Sequence, residues 1–220
     1  MTKPLHFQPV EIAHRNILQP YLVKSSRTCD RTFTNLFCWQ HHFRTTWAET
    51  GGWLIVRAHI NGERRAAYIV LPQEETPRYE EIIPVVEADA ATLGLPLSLM
   101  GLTDAECDLL RQQCPDTFLF DRNRDFADYV YAAEDLRTLK GRKFAQKRNH
   151  VNKFKSLYDF EYKTITQENI ADCLQLEEAW MTEHADDESA VAERTVIRQA
   201  LAECGVDIGA RWVGMRPPFR

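Results

Sequence analysis

The sequence predicts a mixed α/β (α+β) fold in which a mixed sheet carries helices on both faces. Two observations predict it. Over residues 6–132, short strand-like runs alternate with stretches of helical period. From 116 to 204 the chain has no proline and a single glycine, Gly141, which favours long helices. A 44% hydrophobic content over 220 residues is enough for one large domain or two smaller ones, each with a buried core.

The elements follow in chain order. "HFQPV" (6–10) reads as a short strand, and 11–23 as a helix interrupted near Pro20. Residues 32–43 carry Phe33, Leu36, Phe37 and Trp39 at helical spacing, with Asp30 or Thr32 as the cap. The clearest local signal is 52–72, two strand-like runs around Asn61-Gly62, a dipeptide that suits a type I′ hairpin turn. A helix over 76–94 stops at Gly94 and carries Pro84 as a blemish, and 97–101 is a short apolar strand. Residues 103–114 open on the Thr103/Glu106 capping box and end before Pro115. Strands are expected at 117–121 and 126–132, a helix at 139–157, and a strand at 159–165. One helix should then begin after Thr166 and another lie around 188–204.

Several function classes are set aside. No apolar run approaches the roughly 18–20 residues of a membrane span, and the start lacks the apolar core of an export signal. The expectation is a cytoplasmic protein with no integral membrane segment. Cysteines 29, 38, 107, 114, 173 and 204 form no C-x-x-C, and no histidine stands at zinc-finger spacing from a cysteine pair. They are expected to be reduced thiols, mostly small core residues, with no metal. His41 and His42 are adjacent on a helix and diverge by about 100°, so one should be buried and the other exposed. His59 should be a half-exposed sheet residue, and Trp39 and Trp180 core residues. No Gly-rich nucleotide loop occurs, and no signature supports a Cys–His nucleophile. Glu177, Glu178 and His184 read either as a general base or as a solvated helix face. No catalytic residue is assigned.

Charge is the strongest positional signal. Arg137, Lys140, Arg142, Lys143, Lys147, Arg148, Lys153 and Lys155 lie between 136 and 158 with no acid among them. The whole chain nets −5, so the remainder carries −13. From 164 to 193 the reverse holds, with nine acids and no Lys or Arg. On a helix, Phe144, Val151, Phe154 and Tyr158 share one side, which should face a core, and Lys147 falls within that side. Three explanations stand: snorkelling stems, ion pairs with the acidic block, or an anion site. In the anion site, Lys143, Lys147, Arg148, His150, Asn152 and Lys153 would hold a phosphate-bearing ligand.

The element order over 6–132 matches the GNAT-like acyltransferase fold. The tract "DFADYVYAAEDLRTLKGRKFAQKRNHVNKF" (125–154), with "RTFTNLFCWQHHF" (31–43), resembles the phosphatidylglycerol lysyltransferase C-terminal domain family over roughly 5–205. The motif positions are Lys140, Gly141, Arg142, Lys143, Lys147, Arg148, Asn149, His150, Asn152 and Lys153. The resemblance implies tandem GNAT-like domains, an N-terminal one at 1–135 and the start of a second at 136–220. The second is apparently incomplete, being truncated or divergent after about 205, because 206–220 reads poorly as strands. The resemblance also implies an acyltransferase-like protein moving an aminoacyl group from aminoacyl-tRNA to an amine or hydroxyl acceptor. No bound cofactor is expected; aminoacyl-tRNA or acyl-CoA is the candidate donor, and tRNA or a phosphate-bearing small molecule the candidate partner. Acyl-CoA is disfavoured because "LPQEETPRYEE" (71–81) has no Gly-rich phosphate turn. The alternative is a non-catalytic binding or regulatory module, or an inactive truncated product, whose basic helix is structural.

Overall fold

The runs "WLIV" and "AAYIVL" lie in two paired strands that are buried on both faces, which is why neither alternates apolar with polar. The structure, a computed structural model, describes residues 4–25, 28–60, 65–122, 124, 127–203 and 213–215. Its antiparallel sheet has the order β1-β2-β3-β4, with β1 Gln8–Pro9, β2 Thr46–Thr50, β3 Trp53–Ile60 and β4 Arg65–Pro72. The β3–β4 ladder runs from Trp53↔Pro72 to Ile60↔Arg65. The hairpin is therefore present, while Asn61 and Gly62 lie outside the described residues. The strand expected at 97–101 is reduced to one parallel bridge, Tyr68↔Leu99, which adds a parallel contact to the β4 edge.

Side-chain alternation sends the sheet into two cores. Leu54, Val56, Ile69 and Leu71 meet helices α1 (Arg15–Ser25) and α2 (Phe33–Phe43). Trp53, Ile55, Tyr68 and Val70 meet α3 (Tyr79–Thr92) and α4 (Asp104–Gln113). Helices thus cover both faces, as expected. Thr32 caps α2 by accepting from the Asn35 N–H, and Thr103 and Glu106 close the capping box of α4. Pro20 does not interrupt its helix, since α1 runs through it. Pro20 and Asn16 are both exposed, so water can serve the Asn16 carbonyl that loses its donor.

Several expectations fail on burial or pairing. Residues 117–121 and the described part of 126–132 form no strand, and Leu119, Tyr129 and Val130 stand almost fully exposed. Their apolar and aromatic residues made them strand-like, but no described strand offers them a ladder. His41 and His42 are both exposed, because α2 spends its buried face on Phe33, Leu36, Phe37 and Gln40. Among the described cysteines, Cys38 alone is buried, and all are free thiols. Trp39 packs against the first core, whereas Trp180 is exposed and stacks on His184.

Beyond 132 come α5 (Ala133–Thr138), α6 (Ala145–Leu157), β5 (Tyr162–Thr164), α7 (Ile170–Glu183) and α8 (Glu188–Ala202). A further strand, β6 (Val213–Met215), pairs antiparallel with β5, so part of 206–220 does enter a sheet. Helix α8 folds back: Ala200 is a fully buried member of the first core, and Val196 packs against it. No described helix is long and apolar enough to cross a membrane.

Candidate functional site

The basic segment is built as two helices joined at a tight corner. Helix α5 ends on Leu139 in the left-handed region (φ 48°), and Gly141 follows at φ 97°. A Cβ at Gly141 would meet no atom within 4 Å, so glycine is required there for its backbone angle rather than for space. A 3-10 turn, Arg142–Phe144, then leads into α6. Neither its first turn nor that of α6 contains an acid.

Two of the six expected anion-site residues are engaged at this corner. Arg148, half-buried, donates from Nη1 to the Gly141 carbonyl at 2.8 Å and also to the Leu139 carbonyl. Lys143 Nζ lies 2.9 Å from Asp135 Oδ2 and 4.8 Å from the centre of the Phe144 ring. The other four, Lys147, His150, Asn152 and Lys153, are exposed on α6. Among the described residues Lys140, Arg142, Lys147, Lys153 and Lys155 make no ion pair within 4.0 Å. They are spread around the helix rather than gathered in one enclosed cleft.

The apolar side of α6 does not face a core. Phe144 is buried, but Val151 and Tyr158 are more than 40% exposed, and α6 contains no buried residue. Phe154 meets Tyr158 and Phe160 at ring separations of 5.0 and 5.1 Å, a local aromatic cluster. Lys147 therefore stands on an open face, not in a buried seam.

The acidic block does not neutralise α6 either. Glu177, almost wholly buried on α7, is met by Arg194 and Arg198 of α8 at 2.9 and 2.8 Å. Glu178 binds the same two arginines, at 2.9 Å for Arg198. His184 Nδ1 lies 2.9 Å from the Trp180 carbonyl. Glu177 and Glu178 are thus engaged in bracing α7 against α8, and His184 is engaged by the end of its own helix.

A separate cleft opens beside the start of α3, lined by Glu74, Glu75, Thr76, Pro77, Arg78, Leu109 and Gln113. Gln113 shapes it by accepting from the Tyr79 N–H and donating to the Pro77 carbonyl. Glu80 and Glu81 fill the first turn of α3, so this helix start repels phosphate. Cys29 is an exposed thiol whose surroundings oppose ionisation. Burial, with the Asp128 and Asp30 carboxylates beside it, pushes its thiol up to about 12. No group of three or more metal-ligating side chains occurs among the described residues.

Sequence reasoning missed the Arg148 clamp and the short helix before it. The available signals were Glu134-Asp135, just upstream of the basic run, and Gly141 within it. Glu134 takes Arg137, and Asp135 takes Lys143.

A crystal structure of a conserved protein of unknown function from Bacteroides thetaiotaomicron VPI-5482 is similar to this chain. The TM-score is 0.88 at 28% identity, over 98% of this chain and 73% of that one. No curated protein matches. Residues 23–208 match the family model described as phosphatidylglycerol lysyltransferase, C-terminal. That span holds the four-residue capping box, the hairpin, the corner and the basic helix, and the chain belongs to the phosphatidylglycerol lysyltransferase C-terminal family.

Proposed function

We propose that the chain is an acyltransferase-like cytoplasmic protein that offers α6 to a phosphate-bearing donor, aminoacyl-tRNA, for transfer to an amine or hydroxyl acceptor. The proposed architecture is tandem and GNAT-like, with units at 1–135 and 136–220. Lys147, His150 and Lys153, within one arc of about 120° on α6, face the donor directly, with Asn152 at the flank of the helix and Lys143 and Arg148 at the corner behind them. One observation carries this reading. Among the described residues Lys147, Lys153 and Lys155 of α6 pair with no acid, while Glu177 and Glu178 are held by Arg194 and Arg198, so the α6 cations are open to an outside anion.

Such a transfer needs no covalent enzyme intermediate. The acceptor attacks the ester carbonyl, the tetrahedral oxyanion collapses, and the tRNA 3′ hydroxyl leaves with the acceptor's proton. Positioning and oxyanion stabilisation supply the rate. An acyl-CoA donor is disfavoured by the acids around the α3 start. A second reading, a binding or regulatory module without catalysis, is favoured by the openness of α6, none of whose residues lines the cleft at Glu74–Arg78.

The test is titration of bulk tRNA at several salt concentrations, with labelled aminoacyl-tRNA added to assay transfer. Binding should weaken steeply with salt, and Lys147→Ala with Lys153→Ala should flatten the log–log slope by about 0.9 per lost phosphate contact. Binding without transfer selects the second reading. Salt-insensitive or absent binding removes the tRNA reading and leaves α6 a structural helix.

A further inference from the structure

We infer that Arg148 is a positioning residue: it fixes the corner between α5 and α6, and so the direction in which the cations of α6 point, rather than adding one more charge to the ligand face. The consequence for the ligand rests on the tRNA reading above; the clamp itself does not.

The geometry separates Arg148 from its neighbours. Lys147, His150, Asn152 and Lys153 are exposed, whereas Arg148 is half-buried and turned back along its own chain. One terminal nitrogen serves two carbonyls, those of Leu139 and Gly141. These are the two residues of the link with positive φ, at 48° and 97°. A leucine in the left-handed region is unfavourable by itself and persists when its surroundings hold it. The guanidinium supplies that hold by bonding the Leu139 carbonyl and joining the Phe144 N–H on the Gly141 carbonyl. Lys143 adds a second tie across the corner through Asp135. With the link fixed, Lys140 and Arg142 at the corner keep a set distance from Lys147 and Lys153 along the helix. A shaped polyanion requires that spacing and a flexible one does not.

The distinction is between a terminal nitrogen held at two carbonyls and a positive charge left free in solvent. A lysine at 148 keeps the charge, but its ammonium ends one bond short of the position of Nη1 and cannot reach both carbonyls from the same backbone. The experiment compares wild type, Arg148→Lys and Arg148→Ala in three measurements: binding of bulk tRNA across salt, binding of poly(U) across salt, and amide exchange at Leu139 and Phe144. Those two amides donate to Asp135 and Gly141 and close the corner.

The expected result is that both variants lose about tenfold in tRNA affinity, keep the wild-type poly(U) slope, and exchange faster at Leu139 and Phe144. Arg148→Lys binding tRNA as wild type overturns the inference. So does Arg148→Ala lowering the poly(U) slope by about 0.7 while corner exchange stays slow. Should wild type bind no tRNA, the proposed function falls, and the exchange rates alone decide the clamp: unchanged rates overturn it.

Discussion

Arg31 and Glu106 meet at two points, Nη1 to Oε1 and Nη2 to Oε2, each at 2.8 Å, with the arginine 1% exposed. The arginine precedes α2 and the glutamate closes the capping box of α4. The pair therefore ties the entry to one face of the sheet to a helix on the other. Arg31 also donates to the Gly101 carbonyl at 2.7 Å, and Glu106 accepts from the Thr103 N–H at 2.7 Å. Burial alone would raise the Glu106 carboxyl. The Arg31 guanidinium and the Thr103 N–H outweigh it, so the group lies below the usual glutamate value.

Glu106→Gln should lower stability by about 3 kcal/mol, because it retains a capping oxygen but leaves a buried guanidinium without its carboxylate. The pH dependence has a defined sign. A carboxyl lowered on folding contributes above its unfolded value and loses that contribution as pH falls through the folded one. Denaturant midpoints of wild type should thus drop as pH falls below about 4.5, and those of the variant should drop less. Parallel curves for the two proteins would contradict the pairing.

Tyr21, Tyr68 and Tyr79 should keep their protons well past pH 10. Burial is the main cause in all three; hydrogen bonds to Glu49 and Asp89 add to it for Tyr21 and Tyr68, and the nearby Glu106 charge adds to it for Tyr79. A phenol raised on folding contributes stability that is full below its unfolded value and is lost as pH rises through the folded one. In an ultraviolet titration these three should ionise only as the chain unfolds. Tyr68→Phe should remove one late-titrating group and, by freeing Asp89 from a 2.7 Å hydrogen bond, cost about 1 kcal/mol.

Removing Arg194 or Arg198 alone should be mild, and removing both severe. Glu177 is 7% exposed and holds both arginines, so either one can compensate the buried carboxylate. In the double alanine variant it has neither. The thermal midpoint of the double variant should fall by clearly more than the two single shifts added together, a coupling that a double-mutant cycle measures directly. Simple additivity would mean that the two pairs act independently.

The hairpin, the capping box and the helices on both faces were legible because local chemistry decides them. The apolar runs of 53–56 and 66–71, Thr103/Glu106 and the period of Phe33, Leu36 and Phe37 each act within a few residues. What failed depended on partners elsewhere. Tyr129, Val130 and Tyr131 have strand chemistry but no described strand beside them, and Val151 and Tyr158 share a helical side that stays largely exposed. Lys143 and Arg148 were legible as cations, but not as groups already engaged by Asp135 and by two carbonyls. A sequence displays the charge of a side chain without displaying which way it turns.

That difference between a stripe that looks buried and one that is buried can be measured. Phe144 is 8% exposed, while Val151 and Leu157 are 41% and 62% exposed. Phe144→Ala should therefore cost about 3 kcal/mol by leaving a cavity. Val151→Ser and Leu157→Ser should stay within about 0.5 kcal/mol, since a surface position loses little apolar burial and only some helix propensity. If all three substitutions destabilise the chain equally, α6 has a covered apolar side and its cations do sit in a seam. If only Phe144 matters, the anchor of α6 is the corner at Gly141–Phe144, and the helix beyond it is free to present its charges outward.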